Sequence, residues 1–133
     1  MPATMKRLDH VNVRTAALDA MTAWYTRVLG LEAGPRPAFS FAGAWLYAEG
    51  QPIVHLVGVE SPPGADADDL RLEHFAISAS GLKDFVARLE AEGEQYRVRA
   101  VPDFGIVQVN VWDPDGNHIH VDFDAAEAEN TEL

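Results

Sequence analysis

The chain contains no cysteine, which excludes a disulfide framework, a thiolate nucleophile and cysteine-ligated zinc. Positive charge is scarce: 10 lysines and arginines stand against 21 aspartates and glutamates, a formal net charge of −11. A nucleic-acid binder needs a basic face to displace counterions, and anionic lipid attracts polybasic segments. Neither nucleic acid nor a membrane is expected as a partner, and the acidity reads as a source of solubility. No apolar run approaches the roughly 20 residues of a membrane-spanning helix, and residues 1–7 lack the apolar stretch of a secretory signal, so a cytoplasmic location is expected. A phosphate-binding loop, a dinucleotide fingerprint and a nucleophile elbow are all missing. What remains is a globular composition, 47% hydrophobic over 133 residues, enough for one compact domain spanning 1–133.

Within it one pattern occurs twice. Leu8-Asp9-His10-Val11-Asn12-Val13 alternates like a short strand, and Leu72-Glu73-His74-Phe75-Ala76-Ile77 repeats it position for position. After each comes an amphipathic helix. Leu18, Met21, Tyr25, Val28 and Leu29 mark the first, with Thr15 as its expected cap and Gly30 as its stop. Leu82, Phe85, Val86 and Leu89 mark the second, with Ser80 as its expected cap and Gly93 as its stop. Strands are expected at 39–48 and 52–59, and again near 96–101, at 106–112 and at 118–123. The last pair is joined by Asp113-Pro114-Asp115-Gly116, a type I turn by its residues. The proline- and aspartate-rich stretch 60–70 reads as a linker, and 124–133 as a frayed acidic tail. The fold class is therefore α+β: two βαβββ modules, at about 6–59 and 71–123, pairing their sheets into a curved mixed sheet with the helices outside.

Four histidines respect the repeat. His74 follows His10 by 64 positions and His120 follows His55 by 65. One histidine in an apolar strand is ordinarily an interior group bonded to a carbonyl. Four at repeat-related positions read as a metal site, because neutral imidazole is a common ligand and several strands together supply the three or four donors an ion needs. In the last strand Ile119, Val121 and Phe123 take one face while His118, His120 and Asp122 take the other. His118 reads as a lining residue or a substitute ligand. Asn12, Gln108, Asn110 and Trp112 are the other pocket-lining candidates, Trp45 and Tyr47 further possible walls, and Tyr96 and Asp122 possible proton carriers.

Leu8-Asp9-His10-Val11, the run Trp24-Tyr25-Thr26-Arg27-Val28-Leu29-Gly30-Leu31-Glu32, Glu73-His74-Phe75-Ala76 and Asp113-Pro114-Asp115-Gly116-Asn117 together resemble the vicinal oxygen chelate superfamily, over about residues 6–123. That group includes glyoxalase I, extradiol dioxygenases and bleomycin-binding proteins. The resemblance implies a divalent metal ion (zinc, nickel, iron or manganese) held by His10, His55, His74 and His120, a small-molecule substrate bound through two adjacent oxygens, and a homodimer. It departs at two places that matter: Gly116-Asn117-His118-Ile119-His120 puts histidine where the family usually has a ligand glutamate, and His55 stands where glyoxalase I has a carboxylate. A base beside the metal would then be an imidazole, His55 or His120, and these two are the expected catalytic residues. The expected activity is that of a metal-dependent lyase, isomerase or dioxygenase. The alternative is a metal-free protein that sequesters a small molecule, as bleomycin-binding relatives do.

Overall fold

A computed structural model describes residues 2–64 and 71–130. The expected linker therefore lies, from residue 65 on, outside the described residues. The chain divides into two compact units, Met1–Pro63 and Gly64–Leu133. Among the described residues no helix is long and apolar enough to cross a membrane.

The first unit runs β1 (Val11–Thr15), α1 (Leu18–Arg27), β2 (Glu32–Gly34), β3 (Gly43–Ala48) and β4 (Gln51–Gly58). Its sheet has the order β1-β4-β3-β2, with β1 parallel to β4 and the other pairs antiparallel. Met21, Trp24, Tyr25 and Val28 recur at helical spacing and are almost wholly buried, and α1 lays this stripe on β3 and β4. The helix stops where Gly30 turns left-handed at φ 74° and the Leu31 amide bonds back to the Tyr25 carbonyl at 3.1 Å, the usual glycine termination. Two local expectations give way. β1 begins at Val11, later than the alternation indicated, because its pairing with β4 starts at Val11 opposite Val54; Leu8, Asp9 and His10 stand before it. Thr15 does not cap α1 but ends β1, its hydroxyl accepting the Ala17 amide at 2.9 Å, while Ala17 holds the cap position without a side-chain bond.

The second unit repeats the plan with β5 (His74–Ser78), α2 (Leu82–Ala91), β6 (Arg97–Val101), β7 (Ile106–Trp112) and β8 (His118–Asp124), in the order β5-β8-β7-β6. The duplication holds at the level of register: Asn12 pairs with His55 and Ala76 with His120, each across the parallel strands. On β7 and β8, Val107, Val109, Val111, Ile119, Val121 and Phe123 are buried, and Leu82, Phe85 and Leu89 of α2 are buried too. Ser80 is not the cap of α2. Gly81 takes that position at φ 92°, and the free amides of Gly81 and Leu82 donate to the Glu127 carboxylate at 2.9 and 3.0 Å. The tail expected to fray is thus, through Asn130, a 3-10 helix spanning Ala125–Asn130; a carboxylate at a helix N-terminus satisfies orphan donors and meets the positive end of the helix dipole.

The turn before β8 follows its residues. The Gly116 amide bonds to the Asp113 carbonyl at 2.9 Å. The nearly buried Asp113 carboxylate accepts the amides of Asp115 and Asn117 at 3.0 and 2.9 Å and the Asn117 side-chain amide at 3.2 and 2.9 Å. This bracket sets the β7–β8 register that faces Asn110 with His120 and Trp112 with His118. Asp113→Ala leaves those donors without their acceptor and should lower the unfolding free energy by about 2–3 kcal/mol. In urea titration the midpoint should fall with the slope unchanged.

Candidate metal centre

In the first unit three rings lie face to face. His55, on β4 and only 7% exposed, is stacked on Trp45 of β3 with centroids 4.0 Å apart and planes 13° apart. His10 covers its other face at 3.8 Å and 10°. His55 Nε2 lies 3.0 Å from the Pro52 carbonyl. A carbonyl only accepts, so Nε2 carries the hydrogen and Nδ1 the lone pair. His10 is oriented the other way, with Nδ1 2.7 Å from the Asp9 carboxylate, which leaves Nε2 as its lone-pair nitrogen. That hydrogen bond is the main reason the Asp9 carboxyl is held below its usual range.

In the second unit the same acid–histidine dipeptide recurs: His74 Nδ1 bonds to Glu73 at 2.5 Å. His120, 8% exposed, is held by Asp122 through Nδ1 at 2.6 Å. The His74 and His120 rings are 4.4 Å apart and inclined by 41°. His118 donates from Nε2 to the Asn110 amide oxygen at 2.7 Å, while its Nδ1 faces Glu73 at 3.4 Å. The Asn110 amide nitrogen in turn donates to the Arg97 carbonyl at 3.2 Å, which fixes which end of that amide meets the imidazole. Trp112 stacks on His118 at 5.2 Å and 14°. The hydrogen bond from His74 is the main reason the Glu73 carboxyl is held below its normal range.

The structure thus brings His10 beside His55, and His74 beside His118 and His120. Asn110 and Trp112 meet His118, Gln108 lies half-buried opposite Asp122, and Asn12 is exposed at the register position of His55. Glu73 was not singled out in the sequence, yet donor atoms of Glu73, His74 and His118 all lie within 4.8 Å of one another. Its signal was the Asp9–His10 counterpart in the repeat. Tyr96 donates to Glu90 at 2.7 Å, and this bond raises its pKa, so it keeps its proton at neutral pH. An open cavity of about 540 Å³ lined by Glu94, Gln95, Tyr96, Arg97 and Trp112 touches the histidine cluster only through Trp112.

The donor chemistry in the second unit suits a divalent ion. An imidazole that gives its N–H to a carboxylate is fixed in tautomer and made more basic, the arrangement metal-ligating histidines show, and His74 lies with Glu73 and His118 in one group of close ligand atoms. The His10–His55 stack is different. A ligated ion lies in the imidazole plane about 2.0–2.1 Å from nitrogen, and nearly parallel planes 3.8 Å apart at their centroids have no such point in common. As stacked, these two rings cannot both ligate one ion; His10, the exposed one, would have to turn.

Burial first, and then the nearby His10 imidazole, lower the His55 pKa from its ordinary 6.5, against the opposing pull of the Pro52 carbonyl and Asp9. Because the unfolded chain takes up this proton more readily, the fold loses nothing above about pH 6.5 and loses stability as the pH falls from there toward the folded value. In metal-free protein the drop in melting temperature between pH 7.5 and 5.5 should be smaller for His55→Phe, which keeps a stacking ring without a titrating group. An equal drop in both proteins would refute the assignment.

The family model described as Glyoxalase/Bleomycin resistance protein/Dioxygenase superfamily matches residues 7–121. Among solved structures, a glyoxalase family protein from Bacillus anthracis superposes with a TM-score of 0.75 at 22% identity, covering 93% of this chain and 99% of that one. A glyoxalase/dioxygenase from Nostoc punctiforme gives 0.72 at 19% identity over 93% and 98% of the two chains. Lactoylglutathione lyase from Agrobacterium tumefaciens gives 0.65 at 21% over 94% and 96%. Repeated βαβββ units, matching register and a family match over most of its length make this chain a member of the Glyoxalase/Bleomycin resistance protein/Dioxygenase superfamily.

Proposed function

We propose that the chain is a metal-dependent enzyme that binds a small substrate through two adjacent oxygens at a divalent ion. Within the second unit the proposed ligands are His74 and His120, with Glu73 and His118 next to them; within the first, His10 and His55 are the repeat-related ligand positions, and His10 would have to turn off His55 to serve. The observation that carries this reading is the fixed orientation of three imidazoles: Asp9, Glu73 and Asp122 each take the Nδ1 hydrogen of a histidine, which leaves Nε2 with its lone pair. When bound, a divalent ion would polarise the substrate oxygens and stabilise negative charge that develops on them. The residues around it have separate tasks. Asp122 keeps the almost buried His120 in one tautomer and orientation. Asn110 and Trp112 hold His118 between an amide and an indole face. His55 remains neutral near pH 7, with Nδ1 as the nitrogen able to take a proton. With imidazole in place of carboxylate, the donors at 55 and 120 cancel none of the ion's charge, which favours an anionic substrate.

A second reading, a metal-free protein that holds a small molecule, draws support from the flat His10–His55 stack, which as it stands is a packing arrangement rather than a ligand pair.

Metal analysis of untagged protein separates the two. Stoichiometric divalent metal is expected, lost in His74→Ala and bound roughly ten- to a hundredfold more weakly in Asp122→Asn, where the orienting carboxylate is gone. Failure to retain metal after incubation with Zn²⁺, Ni²⁺, Fe²⁺ or Mn²⁺ would sink the enzyme reading and leave the binding protein.

A further inference from the structure

The connection between β2 and β3 carries a second constellation. Arg36 is half-buried. Its guanidinium lies 5.1 Å from the Phe39 ring centre and 5.5 Å from that of Phe41. The two rings are stacked on each other at 4.8 Å and 11°, yet remain 42% and 45% exposed. One guanidinium nitrogen donates to the Phe41 carbonyl at 3.1 Å. Nε is covered and has no acceptor. A Cβ at Gly43 would meet the Leu56 carbonyl at 2.5 Å and the guanidinium at 3.0 Å.

Two features of this cluster go beyond holding a loop. In a chain with 21 acidic and 10 basic side chains, Arg36 has no carboxylate partner among the described residues. A partly desolvated guanidinium with no carboxylate against it among the described residues offers its remaining donors to an anion. The rings beside it also continue inward. Phe39 meets Trp45 at 6.4 Å, and Trp45 lies flat on His55. A run of aromatic rings, tilted by 53° between Phe39 and Trp45, therefore leads from exposed phenyl rings to the histidine pair of the same unit, with one positive charge at its outer end. Aromatic faces prefer flat partners, and a guanidinium fork matches a carboxylate.

We propose that Arg36, Phe39 and Phe41 form a subsite for a planar aromatic carboxylate, the ring against the phenyl faces and the carboxylate on the guanidinium. This names a substrate class for the enzyme proposed above and to that extent rests on that reading. Its test does not need the metal. Metal-free protein, treated with EDTA, is titrated calorimetrically with benzoate, with cyclohexanecarboxylate, which has the charge without the flat ring, and with benzamide, which has the ring without the charge.

Benzoate is expected to bind more tightly than either. Arg36→Gln should weaken it roughly ten- to a hundredfold, the fold-change of losing a charge-assisted hydrogen bond. Arg36→Lys, which keeps the charge but not the fork, should fall between, and Phe39→Leu should erase the preference for benzoate over cyclohexanecarboxylate. Far-UV circular dichroism and melting temperatures confirm that each variant is folded. Absence of benzoate binding at millimolar concentration, or equal affinity in wild type and Arg36→Gln, overturns the proposal and reduces the cluster to a clamp on its own loop. Binding by metal-free protein that has failed the metal-retention test would keep the subsite and discard the metal enzyme, so the two readings fail separately.

Discussion

Each unit is held in shape by the parallel pairing of its first strand with its last. β1 pairs with β4 and β5 with β8. A parallel pair cannot be closed by a tight turn, so a helix and two strands must be threaded between the partners. The alternation of the strands then decides the rest. Valine, leucine and isoleucine side chains go to the helix-covered face, where burying each contributes on the order of 1.5–3 kcal/mol. The opposite face receives whatever lies between them, and in the last strands that means His55 and His120. The same pairing brings the acid–histidine dipeptide at the mouth of the first strand alongside: His10 against His55, His74 against His120. Removing these imidazoles from water has a cost. Ring stacking and a backbone carbonyl offset it in one unit, carboxylate hydrogen bonds in the other.

The two units have diverged where they are most alike in register. Trp45 faces His55 across β3 and β4; Asn110 faces His120 across β7 and β8. An indole at that position makes a flat stack on His55, whose pKa burial lowers. An amide makes a polar chain, Arg97 carbonyl to Asn110 to His118 to Glu73 to His74. The first arrangement is a stack of rings and the second a chain of hydrogen bonds, although both were built on one plan.

That plan was legible in the sequence because it rests on short-range periodicity and on repetition. The alternation at 106–112 and 118–123, the helix stripes and the turn at Asp113 all depend on neighbours within a few residues. The doubled histidines marked the strands worth watching. Missed features depend on partners distant in the chain. No local signal shows that Glu127 reaches Gly81, that β1 must wait for Val54 before it starts, or that three residues at Glu32–Gly34 suffice for an edge strand. The ring stack of His10 on His55 is a matter of angle, which spacing does not encode. Glu73 stands in the repeated dipeptide, but no local signal shows that His118, 45 residues on, lies on its other side.

The carboxylate that closes the start of α2 comes from Glu127, more than forty positions downstream. During synthesis α2 emerges well before that residue exists, with its first amides facing only water. The second unit also lacks β8, the partner of β5, until nearly the same moment. The second unit therefore cannot settle until β8 and Glu127 have been made, whereas the unit that holds β1 to β4 has every one of its strands available earlier.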